Sequence, residues 1–267
     1  MLLDPDSYGS VIRRLFLGFL LVGILCTSTS HADDAPVIPL PPEIAKDLEL
    51  FGKGVVGRAL PAEPIEDVHE IANLGSGVWE YEIVHGGDDG DKVKRESYER
   101  LPDEKGAEVW KRTVGTEFVE YVRIDSEHRF GKHLEDDLEV GYSSRFNPGM
   151  VWLSKTPAGK TRKIESKIEA FKTGKPDHTS YSGTVKAELE YVGTYEVTTP
   201  AGTWPAVLAR MAFDIEIGPA DVTDTTYMFF AKGVGKIAEI EVTNVSALLV
   251  YHSHAKVAKV LTKYPKR

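Results

Sequence analysis

The sequence predicts a mainly all-β protein, built as a curved antiparallel sheet or half-open barrel behind one or two short helices. From Gly77 onwards, apolar and polar residues alternate with a period of two, which is typical of strands with one buried face. Residues 206–217 show this alternation most clearly. Turn-forming Gly, Asp and Pro residues separate the alternating runs. Together these observations favour an antiparallel sheet with one face in the core and the other in water.

Two short helices are expected before the sheet. The first begins at Pro41-Pro42-Glu43 and runs to Phe51, because proline suits the first helical turn and Glu43 suits its positive end. A linker follows over residues 55–64. The second helix is expected over residues 65–74, where the apolar residues share one helical face.

Eleven segments are expected to form strands. The last segment of the chain is expected to form a helix. The expected strands are residues 79–83, 92–100, 107–113, 117–124, 139–146, 151–154, 162–171, 180–191, 206–217, 225–231 and 236–242. The tail, residues 253–264, is expected to form a short helix capped by Ser253 with lysines near its negative end.

The first 32 residues have the pattern of a secretory signal peptide. Arg13 and Arg14 precede an apolar run over residues 15–26, and small residues lead to a cleavage site after Ala32. The apolar run is shorter than the roughly 20 residues that a membrane-spanning helix needs. We therefore expect a signal peptide (1–32), an N-terminal extension (33–76) and an antiparallel β domain (77–267). The protein would be periplasmic or secreted, with no transmembrane segment in the mature chain.

The export route stays open between general secretion and twin-arginine export, because Arg13-Arg14-Leu15-Phe16-Leu17 has the spacing of a twin-arginine signal. Cys26 is the single cysteine of the chain. Leu25 precedes it where a lipoprotein signal requires a small residue, so a lipid anchor is not expected. Cleavage after Ala32 would leave a mature protein without a disulfide or a thiolate metal site.

Charge and motifs exclude several classes of function. The formal net charge is −9, and an acidic chain repels phosphate backbones, so nucleic acid is not an expected partner. The chain has no GxSxG, P-loop, Rossmann or HExxH motif and no repeat of 20–50 residues. No cofactor and no catalytic residue is predicted, and the sequence does not indicate an oligomeric state.

An aromatic set is the first candidate binding site. Trp204, Tyr227, Phe229 and Tyr251 are candidates to line an apolar ligand cavity. Residues 225–231 are apolar on both faces, which is typical either of a covered central strand or of a strand that borders a cavity. The same aromatics would equally fill the core of a closed sandwich.

Two histidines and a group of carboxylates are further candidate chemical sites. His252 and His254 would lie on one face of a strand and would bind zinc if a neighbouring strand supplied a third ligand, but surface histidines are the preferred interpretation. A second group could form paired carboxylates for acid–base chemistry, although the alternation favours a solvated face. Its members are Asp214, Glu216, Asp221 and Asp224.

Two segments carry a resemblance to known families. Residues 192–206, VGTYEVTTPAGTWPA, run from a strand through a Pro-Ala-Gly turn to an aromatic residue, and residues 230–236, FAKGVGK, follow later. The pattern resembles uncharacterised exported families near DUF3108 and the lipoprotein-carrier-like proteins. The resemblance implies an antiparallel sheet wrapped as a half-open barrel, and it assigns no catalytic residue.

The leading functional hypothesis is an exported, soluble, periplasmic protein that is not an enzyme. It would hold an apolar small molecule, such as a lipid or acyl chain, on the concave side of its sheet. One alternative is an envelope hydrolase or carbohydrate-active enzyme. The other is a structural or interaction protein of the cell envelope, with a filled core.

Overall fold

The computed structural model describes residues 35–87, 92–218, 220–247 and 251–266, with the backbone alone described at 246–247 and 251–253. Strands dominate, as the sequence predicts. The helices are α1 (Pro42–Leu48), a 3-10 turn (Glu49–Phe51) and α2 (Val68–Ala72). The strands are β1 (Val56–Leu60), β2 (Val78–His85), β3 (Val93–Glu104), β4 (Ala107–Val114), β5 (Phe118–Ile124), β6 (Phe130–Asp137), β7 (Tyr142–Leu153), β8 (Lys160–Lys172), β9 (Thr179–Thr199), β10 (Gly202–Ile217), β11 (Ala220–Ala231), β12 (Gly235–Ala247) and β13 (Tyr251–Lys263).

The strands form one antiparallel sheet that closes into a barrel. Each strand from β2 to β13 pairs with the next along the chain, β13 pairs with β2, and β8 pairs with β9. The long strand β9 pairs with β8 through residues 179–191 and with β1 through residues 194–197. The barrel is therefore closed rather than half-open, while the expected all-β class is confirmed.

The C-terminal helix expected over residues 253–264 is wrong. This segment lies in β13, which pairs with β12 on one side and β2 on the other. Ala258 and Val260 face one side of the sheet, and Lys259 between them faces the other. The capping serine and the lysines favoured a helix, but pairing with two neighbouring strands outweighs that local preference.

The expected helices and most expected strands are confirmed. The hairpin around Gly115 forms from β4 and β5, and the expected segments 139–146 and 151–154 belong to the single strand β7. Sequence reasoning missed β1, in the presumed linker, and β6. In β6, Lys132 and Glu135 occupy inward positions, so the apolar alternation that marks a strand is missing there.

Strand register identifies the face that points into the barrel. Arg112 pairs with Glu120 and Trp110 with Val122, so these four residues share one face. Side chains of this face reach across the barrel: Met228 of β11 lines a small cavity with Phe130 of β6 and Trp152 of β7. Contacts between strands this far apart in the sheet order require an inward face. We call the enclosed space the lumen.

The helices cover two different apolar surfaces. On the outer face, Leu48 of α1 and Phe51 of the 3-10 turn belong to a buried cluster with Phe229 and Tyr195. The ring centroids of Phe51 and Phe229 lie 6.0 Å apart. The α2 segment instead joins the luminal cluster through Val68. It lies at the end of the barrel that carries the β5–β6 and β11–β12 turns, which we call the α2 end.

Candidate functional site

The aromatic residues predicted to line a ligand cavity lie in different places. Tyr227 and Phe229 lie on the outer face of the sheet, and Trp204 lies beside Tyr264. Tyr227 and Phe229 are buried under α1 and the 3-10 turn, and the Tyr227 hydroxyl donates to Asp47 Oδ2 at 2.9 Å. Trp204 is partly buried and meets the ring of Tyr264 edge-on, with centroids 5.9 Å apart. The Tyr251 side chain lies outside the described residues. The structure thus brings Tyr227 and Phe229 together, beneath the N-terminal helix.

Of the two zinc candidates, His252 and His254, the structure describes the side chain of His254. His254 is exposed, and its Nδ1 is hydrogen-bonded to Asn244 Oδ1. The side chain of His252 lies outside the described residues. Of the four carboxylates, Asp214, Glu216 and Asp221 are exposed on the surface, as the alternation indicated.

The most unusual feature of the lumen is a set of buried and half-buried charged side chains that sequence reasoning did not single out. They come from strands β3 to β6 on one side and from β12 and β13 on the other. We call this set the luminal ion network; its members are Glu96, Arg112, Glu120, Lys132, Glu135, Lys236, Glu239 and Lys259.

Glu96 is the centre of the network. Its side chain is 0% exposed, and its carboxylate lies 2.8 Å from Arg112 Nη2 and 3.0 Å from the Nζ atoms of both Lys236 and Lys259. Burial alone would raise the pKa of Glu96. The three positive charges outweigh burial and hold this pKa well below its ordinary value. Glu96 is therefore ionised, and it compensates cations from three different strands.

Further carboxylates complete the pairing of these cations. Glu239 lies 3.2 Å from Lys259 Nζ and also contacts Lys236. Glu239 is buried, which would raise its pKa, but the two lysines lower it to about 2. Arg112 contacts Glu120, whose other oxygen lies 3.2 Å from Lys132 Nζ. Each cation of the network thus has at least one carboxylate partner, as buried charges require.

Aromatic rings enclose the network. The Nζ atoms of Lys236 and Lys259 each lie 5.5 Å from the centre of the Tyr81 ring, and the guanidinium carbon of Arg112 lies 5.4 Å from the Trp152 ring. Tyr81 also donates its hydroxyl to the Lys236 carbonyl oxygen at 2.9 Å. These contacts add cation–π attraction to the ion pairs.

A pair of acids on β11 and β12 lies next to the network. Asp224 is buried, unlike the other carboxylates of its group, and accepts from Thr226 Oγ1 at 2.9 Å and from Thr243 Oγ1. Glu241 lies opposite Thr226 in the neighbouring strand and is exposed. Loss of bulk water, then the negative charges of Asp224 and Glu239, raise the pKa of Glu241 to about 7. Burial likewise raises the pKa of Asp224.

Two small cavities lie among the luminal side chains. Each encloses about 10 Å³. One is lined by Ile65, Trp152 and Tyr191, and the other by residues that include Ala72 and Arg112. This is about the room of one water molecule, whereas small-molecule sites usually enclose about 300–1,000 Å³. Around these two cavities the lumen is therefore filled by its buried apolar cluster.

One sequence signal could have revealed the network. Lys236 and Lys259 each stand within predominantly apolar segments, and register places both on the inward face. A charged residue at an inward position of a strand is expensive unless it is paired. Finding Glu96, Arg112 and Glu239 at comparable positions of nearby strands would have predicted the pairing, but it requires the strand order, which the sequence alone does not supply.

Comparison with known proteins adds two similar structures. No protein-family model and no curated protein matches the chain. A predicted exported protein with a YmcC-like fold from Bacteroides fragilis shares 12% sequence identity, with 72% of this chain and 97% of that chain covered and a TM-score of 0.43. A predicted lipoprotein from Parabacteroides distasonis shares 12% identity over 72% and 96% of the two chains, with a TM-score of 0.29. At these TM-scores, neither comparison decides the fold or the function.

Proposed function

We propose that the protein is exported to the periplasm and works there as a non-enzymatic protein of the cell envelope, through its outer surface. The signal-peptide pattern over residues 1–32 supports export. The single observation that carries the rest is the filling of the lumen, where two cavities of about 10 Å³ each are too small for a lipid or acyl chain. No helix among the described residues has the length and apolarity needed to span a membrane.

Export is tested by fractionating cells and measuring the intact mass of the protein in each fraction. We expect the periplasmic form to begin at Asp33, with no added lipid mass. A form that begins at Cys26 and carries acyl chains would contradict the proposal, and so would an uncleaved chain in the cytoplasm.

An apolar ligand remains the alternative for the outer face. Tyr227 and Phe229 form an apolar surface there, and Phe51 covers it. A ligand would therefore have to replace the N-terminal helix. Native mass spectrometry of protein isolated from the periplasm decides this question. We expect the mass of the bare chain, and a stoichiometric lipid adduct would establish the carrier function instead.

A second candidate function, a hydrolase, rests on the acid pair Asp224 and Glu241. A carboxyl group with a pKa near 7 beside a second carboxyl group is the arrangement of a general acid or base. The test is a panel of chromogenic esters and glycosides, assayed with the wild type, Glu241→Gln and the exposed control Glu216→Gln. Turnover that disappears only in Glu241→Gln would support the hydrolase. Equal background rates in all three proteins would support the non-enzymatic proposal.

A further inference from the structure

Three potential metal ligands meet at the α2 end of the barrel. Asp67 is the N-cap of α2, and its Oδ1 accepts the backbone N–H of His69 at 2.9 Å. His69 lies in the first turn of α2, and His128 lies in the β5–β6 turn. We call these three residues the mouth cluster. It is separate from the luminal ion network and from His252 and His254.

The distances within the mouth cluster are close to those of a metal site. Asp67 Oδ1 is hydrogen-bonded to His69 Nδ1 at 2.7 Å and lies 3.8 Å from His128 Nδ1. A bound ion would replace the proton between Asp67 and His69. Each of the three residues offers one ligand atom, and these three atoms all lie within 4.8 Å of one another. Ligands bound to tetrahedral zinc at 2.0–2.1 Å are about 3.3 Å apart. Small side-chain rotations therefore bring the three donors onto one ion.

His128 has a left-handed backbone conformation, and one of its ring nitrogens lacks a hydrogen-bond partner among the described residues. Its φ is +54°, in the left-handed region that few residues other than glycine adopt. The turn is fixed by Asp125, which accepts the backbone N–H groups of Glu127 and Arg129 at 3.0 Å each. The Nδ1 atom of His128 is buried and has no hydrogen-bond partner among the described residues. The turn thus holds an unsatisfied nitrogen beside the Asp67 carboxylate.

The opposite nitrogen of His69 has the partner that metal-binding histidines require. His69 Nε2 lies 3.2 Å from Glu108 Oε1, and Glu108 Oε2 accepts from Trp110 Nε1 at 3.3 Å. A carboxylate on the far nitrogen fixes the ring orientation and makes the near nitrogen a better ligand. Glu108 would be a positioning residue of the site.

We propose that the mouth cluster binds one zinc ion, or a divalent transition metal of similar preference, through Asp67, His69 and His128. Imidazole nitrogen and carboxylate oxygen are ligands that zinc prefers, and three protein ligands leave a fourth position for water. The side chains of the cluster keep about two-fifths of their surface exposed, so an ion can enter. The bound ion would fasten α2 to the β5–β6 turn.

The test is equilibrium dialysis of the tag-free full-length protein against zinc alone, with metal analysis of the protein compartment. The variants are His128→Ala, His69→Ala and Glu108→Gln, and the matched control is His178→Ala, which removes an exposed histidine in another turn. We expect one equivalent of zinc in the wild type and in the control, and loss of that equivalent in both mouth-cluster histidine variants. Glu108→Gln should bind about 10–100-fold more weakly.

Thermal unfolding with and without zinc separates a lost site from a lost fold. Zinc should raise the melting temperature of the wild type and the control, because a ligand that binds only the native state stabilises it. It should not raise that of His128→Ala, which should still melt cooperatively without metal. No stoichiometric zinc in the wild type, or equal binding by His128→Ala, would overturn the proposal.

Discussion

Glu96 stabilises the barrel because it neutralises several cations at one point. Its carboxylate is fully buried and contacts Arg112, Lys236 and Lys259. Removing one partner of a buried ion pair is costly because the remaining charges stay desolvated. The observed register gives each cation of the network a carboxylate partner.

We predict that Glu96→Gln lowers the free energy of unfolding by about 3–5 kcal/mol. Urea unfolding followed by tryptophan fluorescence measures this change. The control is Glu188→Gln, which removes a surface carboxylate 3.2 Å from Lys163, and exposed pairs contribute little. If Glu96→Gln unfolds at the same urea concentration as the control, the network does not stabilise the fold.

Glu241 should make the folded protein less stable as the pH rises. Most carboxyl groups have the opposite effect, because folding lowers their pKa. Its pKa rises from 4.5 to about 7 on folding, because of desolvation and the charges of Asp224 and Glu239, which Lys259 and Lys132 only partly offset. The folded state therefore binds the proton more tightly than the unfolded state. The resulting stability is complete below pH 4.5 and is lost as the pH rises through about 7.

Glu241→Gln removes this titration. We expect the melting temperature of the variant to fall less than that of the wild type between pH 4.5 and about 7. Glu216→Gln, on the exposed face, should follow the wild type. Parallel pH profiles of all three proteins would show that Glu241 titrates as an ordinary surface carboxyl group.

At the scale of elements, the first helix is a cover for the barrel. Ile44, Leu48 and Phe51 are buried against the outer face of the sheet. That face would otherwise expose Phe229 and its neighbours to water, which few monomeric proteins tolerate over a large area. The cover explains why residues 225–231 are apolar on both faces: one face lines the lumen, and the other lies under the helix.

Phe51→Ala should lower the free energy of unfolding by about 3–5 kcal/mol, as large-to-small changes of a buried phenylalanine do. Glu49→Ala changes an exposed residue of the same 3-10 turn, and we expect it to have little effect. Chemical denaturation of the two variants measures the difference. Similar midpoints for both would mean that the turn is not packed on the barrel in solution.

The sequence predicted the positions of most strands. It did not predict that the sheet closes into a barrel or that charged side chains meet inside the barrel. Period-two alternation located β10 and the β4–β5 hairpin because their inward residues are mostly apolar. The same rule did not detect β6, where Lys132 and Glu135 point inwards. At β13, the capping serine and the lysines predicted a helix instead of a strand. Strand order depends on contacts between distant segments, such as β8 with β9, so neither barrel closure nor the partners of Glu96 could be derived from local pattern.

At the scale of the molecule, the barrel combines a closed wall with a filled interior. The β8–β9 and β13–β2 pairings close the wall, which leaves β1 as an edge strand among the described residues. The interior combines an apolar cluster, which includes Phe130, Met150 and Val185, with ion pairs that satisfy one another. A protein built in this way presents its chemistry at the outer surface and at the barrel ends, where the mouth cluster lies.

Amine-specific acetylation of the folded protein, followed by mass spectrometry of its peptides, tests the packed lumen most directly. The side chains of Lys236 and Lys259 are 6% and 10% exposed, whereas that of Lys163 is 85% exposed. We expect Lys163 to be modified rapidly, while Lys236 and Lys259 stay unmodified until the protein is unfolded. Modification of Lys236 and Lys259 in the native protein at the rate of Lys163 would contradict a packed, ion-paired interior.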